Sequence, residues 1–141
     1  MSFKRHEIDF MKAADLGRLA TIQRDGTPQG SSVGFTYNEE LGTIDISGYN
    51  MAKSQKFRNL AHNDKVAFVI DDIASRDPWR VRCLEIRGTA QRAVTTADRN
   101  GAAGDALDSA VIRITPHRII SFGIDDTDTE PHLLKADSRD V

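Results

Sequence analysis

The sequence predicts a mainly β domain of the α+β class, a small antiparallel barrel with a few short helices. Three observations predict it. Short apolar stretches alternate with polar residues at the two-residue period of half-buried strands. Turn signals containing Gly, Asp or Pro separate these stretches at short intervals. Helical periodicity is confined to two brief segments. Six or seven strands with two short helices suit a small antiparallel barrel. The chain of 141 residues is enough for one domain, residues 1–141, with a core of its own.

The elements follow in order. Ile8, Met11 and Leu16 fall roughly on one side of a helix that stops near Gly17. "RLATIQRDGTPQGSSVGFTY" reads as two strands joined by a turn at Asp25-Gly26. "NEELGT" supplies a second hairpin turn, before the alternating strand "TIDIS". A helix is predicted around residues 53 to 62, with Phe57, Leu60 and Ala61 on its sheet-facing side, followed by the strand "KVAFVID".

The longest strand is "WRVRCLEIRGTAQRAV". Val81 and Cys83 alternate with Arg80 and Arg82, and then Leu84 and Ile86 take over the apolar positions. One residue slips out of period between Cys83 and Leu84, which predicts a bulge there. "TADRNGAAGDALD" reads as a loop or weak helix. "AVIRIT" and "RIISFGI", parted by Thr115-Pro116-His117, make a last hairpin, and the charged tail from about residue 126 is expected to be loose.

Composition narrows the function classes. The formal net charge is −2, which argues against a general nucleic-acid binder. No apolar run approaches the length of a membrane span, and the N-terminal stretch carries charges where a signal peptide needs apolar residues. Cys83 is the sole cysteine, so there is no intrachain disulfide framework, which suits a reducing cytoplasm. His6, His62, His117 and His132 lack metal-ligand spacing, and no metal site is predicted. Cys83 sits among apolar strand neighbours and reads as buried rather than nucleophilic. "LGRLA" and "GAAGDA" are too weak and wrongly placed for a nucleotide fingerprint, and no hydrolytic triad or carboxylate pair is recognisable.

One stretch stands apart. "NMAKSQKFRNLAHNDKVAFVID" gathers Lys53, Lys56, Arg58 and Lys65 within a chain of nearly balanced charge. These side chains are either the solvated face of a helix or a seat for an anion. Lys53, Ser54 and Lys56 fall at the predicted helix start, where free N–H groups and the dipole favour an anion. Ser54 can donate a hydroxyl, and Lys56 and Arg58 can add charge-assisted bonds.

The order helix, "LATIQRDGTPQGSSVGF", "TIDISG", "KSQKFRNLAHNDKVAFVID", "LEIRGTAQ" and "IRITPHRIISFGID" resembles the pyridoxamine 5′-phosphate oxidase-like split β-barrel family. It is most similar to an actinobacterial branch of coenzyme F420 (deazaflavin) oxidoreductases, over residues 6 to 125. The resemblance implies an FMN-binding type of split barrel that is homodimeric, with the cofactor cleft at the subunit interface.

It also implies roles. In flavin-binding members the stretch matching Ser54-Gln55-Lys56 reads Ser-Arg-Lys and grips the cofactor phosphate. Here Gln55 replaces the Arg, which disfavours flavin mononucleotide, and Arg58, one turn on, supplies a compensating charge. The strand "PQGSSVGF" would run under the ring system, with Ser31, Ser32, Val33 and Gly34 at the pyrimidine edge. Gly30 and Gly34 could otherwise merely relieve crowding in a bent strand. Ser47 and Gly48 would border the cleft near the ribityl chain. Trp79, otherwise a core or interface filler, could wall the neighbour's cleft, and Arg76, Arg80 or Arg82 could meet the acidic tail of a deazaflavin. Phe122 reads as packing only.

The implied function is a cofactor-dependent oxidoreductase that passes a hydride from reduced coenzyme F420 to an electrophilic double bond of a small planar substrate. No obligatory acid or base is named, because the cofactor carries the chemistry. Two alternatives stand beside it. One is an FMN-dependent oxidase or flavin reductase of the same fold. The other is a non-catalytic carrier or sensor of flavin, deazaflavin or haem.

Overall fold

The computed structural model describes residues 2–94 and 109–141. The segment 96 to 108, predicted as a loop or weak helix, lies outside the described residues. Helix α1, Arg5–Ala13, buries Glu7, Ile8, Phe10 and Met11. The Glu7 carboxylate accepts from the Lys4 backbone N–H over 2.8 Å, which satisfies one of the free donors at the helix start. The helix stops at Ala13 rather than near Gly17, because Leu16 and Gly17 are claimed by strand pairing with Gly34 and Val33.

Among the described residues, eight strands form one antiparallel sheet. They are β1 (Leu16–Ile22), β2 (Pro28–Gly34), β3 (Thr36–Asn38), β4 (Thr43–Ile46), β5 (Lys65–Arg76), β6 (Trp79–Val94), β7 (Ala110–Phe122) and β8 (Asp137–Asp140). The order is β2-β1-β5-β6-β7-β4-β3, with β8 also on β7. The Asp25-Gly26 turn joins β1 to β2, with Gly26 at φ +89°, where a side chain would be strained.

The two edge strands, β2 and β3, are joined by Phe35 alone. Laid flat, six inter-strand gaps would hold those edges roughly 29 Å apart. The sheet must therefore curl until its edges nearly meet. No ladder joins β2 to β3 among the described residues, so the result is a half-barrel with an open seam. Phe35 points inward at the seam, with its ring edge-on to Phe68 at 5.2 Å.

The core fills this curl. Val66, Phe68 and Ile70 of β5 and Leu84, Ile86 and Ala90 of β6 alternate inward. Ile44 and Ile46 of β4 and Ile112, Ile114 and Ile119 of β7 close the other side.

Four local expectations change. β7 runs straight through Thr115-Pro116-His117, where the sequence predicts a hairpin. Its pairing with β6 jumps from Arg87↔Arg118 to Gly88↔Pro116, leaving His117 as the extra residue. Here the backbones crowd: a Cβ on Gly88 would lie 2.0 Å from the Thr115 carbonyl oxygen. The bulge predicted at Cys83–Leu84 is absent, since β5 and β6 stay in register from Lys65↔Thr89 to Ile73↔Val81. Arg82 and Leu84 share a face; that face simply passes from core to polar surroundings, where Arg82 meets Asp72.

The predicted helix at 53 to 62 is a 3₁₀ turn, Met51–Lys53, followed by α2, Gln55–Asn59. Asn59 and Leu60 are its buried residues, while Ala61 is exposed. The tail beyond residue 126 is built into the fold as a 3₁₀ turn, Pro131–Leu133, and β8. Arg139 of β8 reaches the fully buried carboxylate of Glu7 in α1.

Candidate functional site

The basic segment and the glycine-bearing strand meet. Ser54 caps α2: its hydroxyl oxygen accepts from the Phe57 N–H at 3.3 Å and donates to the Met51 carbonyl at 2.6 Å. Asn59, 1% exposed, donates from Nδ2 to Thr21 Oγ1 and to Gln29 Oε1, each at 2.9 Å. Its Oδ1 accepts from Gln55 Nε2 at 2.7 Å, and Gln55 Oε1 accepts from Arg58 at 2.8 Å. This chain of bonds stitches α2 to β1 and to Gln29, next to Gly30 on β2.

Lys53, Lys56 and Arg58 form no ion pair among the described residues. Lys53 and Arg58 are exposed and Lys56 is half-buried. Five residues make a weak helix dipole, so an anion here would depend on these three side chains more than on the helix start. Gln55, which stands where flavin-binding members carry an Arg, is already held between Asn59 and Arg58.

Among the described residues β2 pairs with β1 alone, and its outer backbone edge has no strand partner there. Gly30, Ser32 and Gly34 are exposed, whereas Val33 is buried and Ser31 lies half-buried on the same side as Val33. Side chains of Ser31, Ser32, Val33 and Gly34 therefore cannot all meet one flat group; what they share is the backbone edge. A Cβ at Gly30 or Gly34 would meet nothing within 4 Å, so packing inside this chain does not require glycine there. Open backbone beside three uncompensated cations fits a flat ring system carrying a phosphate. Ser47 and Gly48 lie just before Tyr49 and Asn50, which lead into the 3₁₀ turn, and a Cβ added at Gly48 would lie 3.6 Å from Met51 Cε.

Trp79 and Arg80 do not join this group. Arg92 of β6 stacks over Phe57 of α2, its guanidinium 5.5 Å from the ring centre. Trp79 starts the same strand thirteen residues earlier, on the order of 40 Å along β6. Arg80 donates to the Thr129 carbonyl at 2.6 Å, and Arg82 is ion-paired with Asp72, so both side chains are held at that end of the sheet. Phe122 and Trp79 flank an apolar groove with Pro131 and Leu134.

Cys83 is half-buried, and burial, with Asp71 and Glu85 nearby, pushes its thiol pKa up and keeps it unreactive. No helix among the described residues is long and apolar enough to cross a membrane.

Sequence reasoning missed a cavity of about 600 Å³ between α1 and the ends of β1, β5 and β6. Two ion pairs wall it: Arg18–Asp71 at 2.8 Å and Arg82–Asp72. Its residues are scattered from His6 to Ile124, and no local pattern marks them.

A curled antiparallel half-barrel with an open seam and short helices defines the fold as a split barrel. The sequence pattern of the pyridoxamine 5′-phosphate oxidase family matches residues 4–123, and the chain belongs to that family. It is 44% identical over 142 aligned positions to the 5a,11a-dehydrotetracycline/5a,11a-dehydrooxytetracycline reductase of Streptomyces rimosus, covering 99% of this chain and 97% of that one. Among solved structures, a conserved hypothetical protein of Mycobacterium tuberculosis superposes with a TM-score of 0.69 at 22% identity, over 92% of this chain and 94% of the other. An F420 reductase superposes with a TM-score of 0.57 at 23% identity, over 77% and 90%. These two likenesses concern the fold.

Proposed function

We propose that this protein is a coenzyme F420-dependent reductase acting on an electrophilic carbon–carbon double bond in a flat, fused-ring substrate. The observation that carries the reading is the 44% identity, nearly end to end, with a reductase of dehydrotetracyclines. A deazaflavin, when bound, supplies the hydride. The chain's own residues bind and orient: Lys53, Lys56 and Arg58 hold the phosphodiester, and the backbone of residues 31–34 meets the ring edge. Ser47 and Gly48 leave room for the chain between them. Trp79 and Arg80 reach a cofactor only from the second subunit of a homodimer. Such an arrangement lowers the barrier by positioning donor against acceptor and excluding water, and it names no obligatory acid or base.

FMN is the other cofactor the fold accommodates. Gln55 weighs against it, because a terminal phosphate dianion calls for more positive charge than a neutral amide supplies.

The experiment is anaerobic mixing of the protein with reduced F420 and 5a,11a-dehydrotetracycline, with the product analysed by mass spectrometry. A product gaining two hydrogens, formed with F420 but not with reduced FMN, supports the reading. Turnover with FMN alone favours the flavin enzyme. Tight binding of F420, FMN or haem with no turnover of any tested double bond favours a carrier.

A further inference from the structure

The cavity beside α1 has a composition that selects its occupant. Phe10, Ala13, Leu16 and Ile124 give it an apolar side, and charged side chains of α1, β1, β5 and β6 line the rest. Its two arginines are neutralised by Asp71 and Asp72, and Arg82 is also laid over the Phe10 ring at 5.1 Å. Asp9 turns to Arg5 on its own helix, 3.3 Å away.

Two polar groups are left over. The Asp15 carboxylate, on an exposed residue, has no hydrogen bond or ion pair among the described residues. The Nε2 of His6 is buried and has no hydrogen-bond partner, with Asp125 Oδ2 at 3.8 Å. A buried polar atom without a partner is costly, and a ligand that supplies one removes the cost. With both arginines paired, the uncompensated charge in the cavity is negative.

We propose that this cavity is a binding site for a molecule that combines a flat apolar ring face with a protonated amine, and that it seats the substrate. The amine would donate to Asp15, and a polar group of the same molecule would meet His6 Nε2. The volume of about 600 Å³ falls in the range of small-molecule sites. Its β1 wall pairs directly with the open edge strand: Leu16 lies opposite Gly34, and Arg18 opposite Ser32. A ligand here borders the strand assigned to the cofactor ring. That second half of the inference rests on the functional reading above.

The test uses 9-aminoacridine, a flat tricyclic cation at neutral pH, and 9-anthracenecarboxylate, its anionic counterpart, followed by fluorescence anisotropy. The cation should bind at one site about tenfold more tightly than the anion, the scale of one charge-assisted contact. Asp15→Asn should remove most of that preference, and Ala13→Trp, which fills the cavity, should abolish binding of the cation. Should Ala13→Trp fold poorly, as read by circular dichroism and melting, Asp15→Asn decides alone.

Equal binding of the two probes, or a cation affinity indifferent to Asp15→Asn, overturns the proposal. So does displacement of 9-aminoacridine by F420, which would make the cavity part of the cofactor site. Loss of a dimer in Ala13→Trp with acridine binding intact would make it a subunit contact and also overturn it. F420 is titrated separately into the same proteins. Failure of F420 to bind while the acridine binds refutes the functional reading and leaves the cationic site standing.

Discussion

Asn59 Nδ2 lies 2.9 Å from Thr21 Oγ1, a bond that spans 38 residues and anchors α2 to the first hairpin. A helix of five residues has little stability of its own, so such anchors decide where its cations point. Replacing Asn59 with Leu strands the buried Thr21 hydroxyl and releases the amides of half-buried Gln29 and exposed Gln55. The expected loss is about 1–3 kcal/mol, the cost of unpaired buried polar groups, read from urea unfolding. F420 affinity should fall as well. An Asn59→Leu variant with parental affinity would show that α2 holds its place without the network.

Lys56→Ala and Arg58→Ala should each weaken F420 binding by on the order of 1.5–3 kcal/mol, as for hydrogen bonds to charged groups. Folding should change by no more than about half a kcal/mol. Binding should weaken as salt rises. Parental affinity in both variants would return these side chains to solvent and move the anion site elsewhere.

Gln55→Arg should shift preference from F420 toward FMN, by placing a guanidinium where flavin-binding relatives carry one. It also removes the acceptor that Arg58 now uses and so frees a second cation. Fluorescence titration of both cofactors against parent and variant reads the ratio. A parent that already prefers FMN sinks the deazaflavin assignment.

Local pattern carried much of the fold. The bounds of β6, both early hairpin turns and the open strand around Gly30 and Gly34 were legible, because each depends on residues close in sequence. What escaped depends on partners far away. Thr115-Pro116-His117 has the composition of a turn, yet Pro116 is buried opposite Gly88 and the strand continues. A slip in the inward-facing period exists, but in β7, where burial passes from Ile112 and Ile114 to Ile119 and Ser121. The tail looks solvated until Arg139 is seen against Glu7, 132 residues away. The basic cluster was legible; Asn59, which no local pattern singles out, was not.

The Glu7–Arg139 pair predicts an acid-sensitive tether. Burial alone would raise the Glu7 pKa. Bonds from Arg139, the Lys4 backbone and Ser121 outweigh it and hold the carboxyl below the usual range. A depressed folded-state pKa contributes stability that is present above the unfolded value, about 4.3, and is lost as pH falls through the folded value. Glu7→Gln should therefore lower the urea midpoint at neutral pH and shrink its fall between neutral and acid. Arg139→Ala leaves a buried carboxylate unpaired and should cost about 3–5 kcal/mol at neutral pH. A parent and Glu7→Gln with superimposable pH profiles would remove Glu7 from the acid response.

The last prediction concerns Trp79, the only tryptophan of the chain and 55% exposed at the start of β6. Within one subunit it lies at the far end of β6 from Arg92 and α2, beyond contact with a cofactor held there. A twofold partner running the other way can bring its own Trp79 to that cofactor, and symmetric dimers are the commonest assemblies of soluble proteins. The protein should run as a homodimer at micromolar concentration by light scattering. Adding F420 should quench Trp79 fluorescence, and diluting the protein below the dimer's dissociation constant should abolish the quenching. A monomer that binds F420 tightly would defeat the shared cleft. Quenching that survives in a true monomer would place the cofactor near Trp79 of its own chain, away from Lys56 and Arg58.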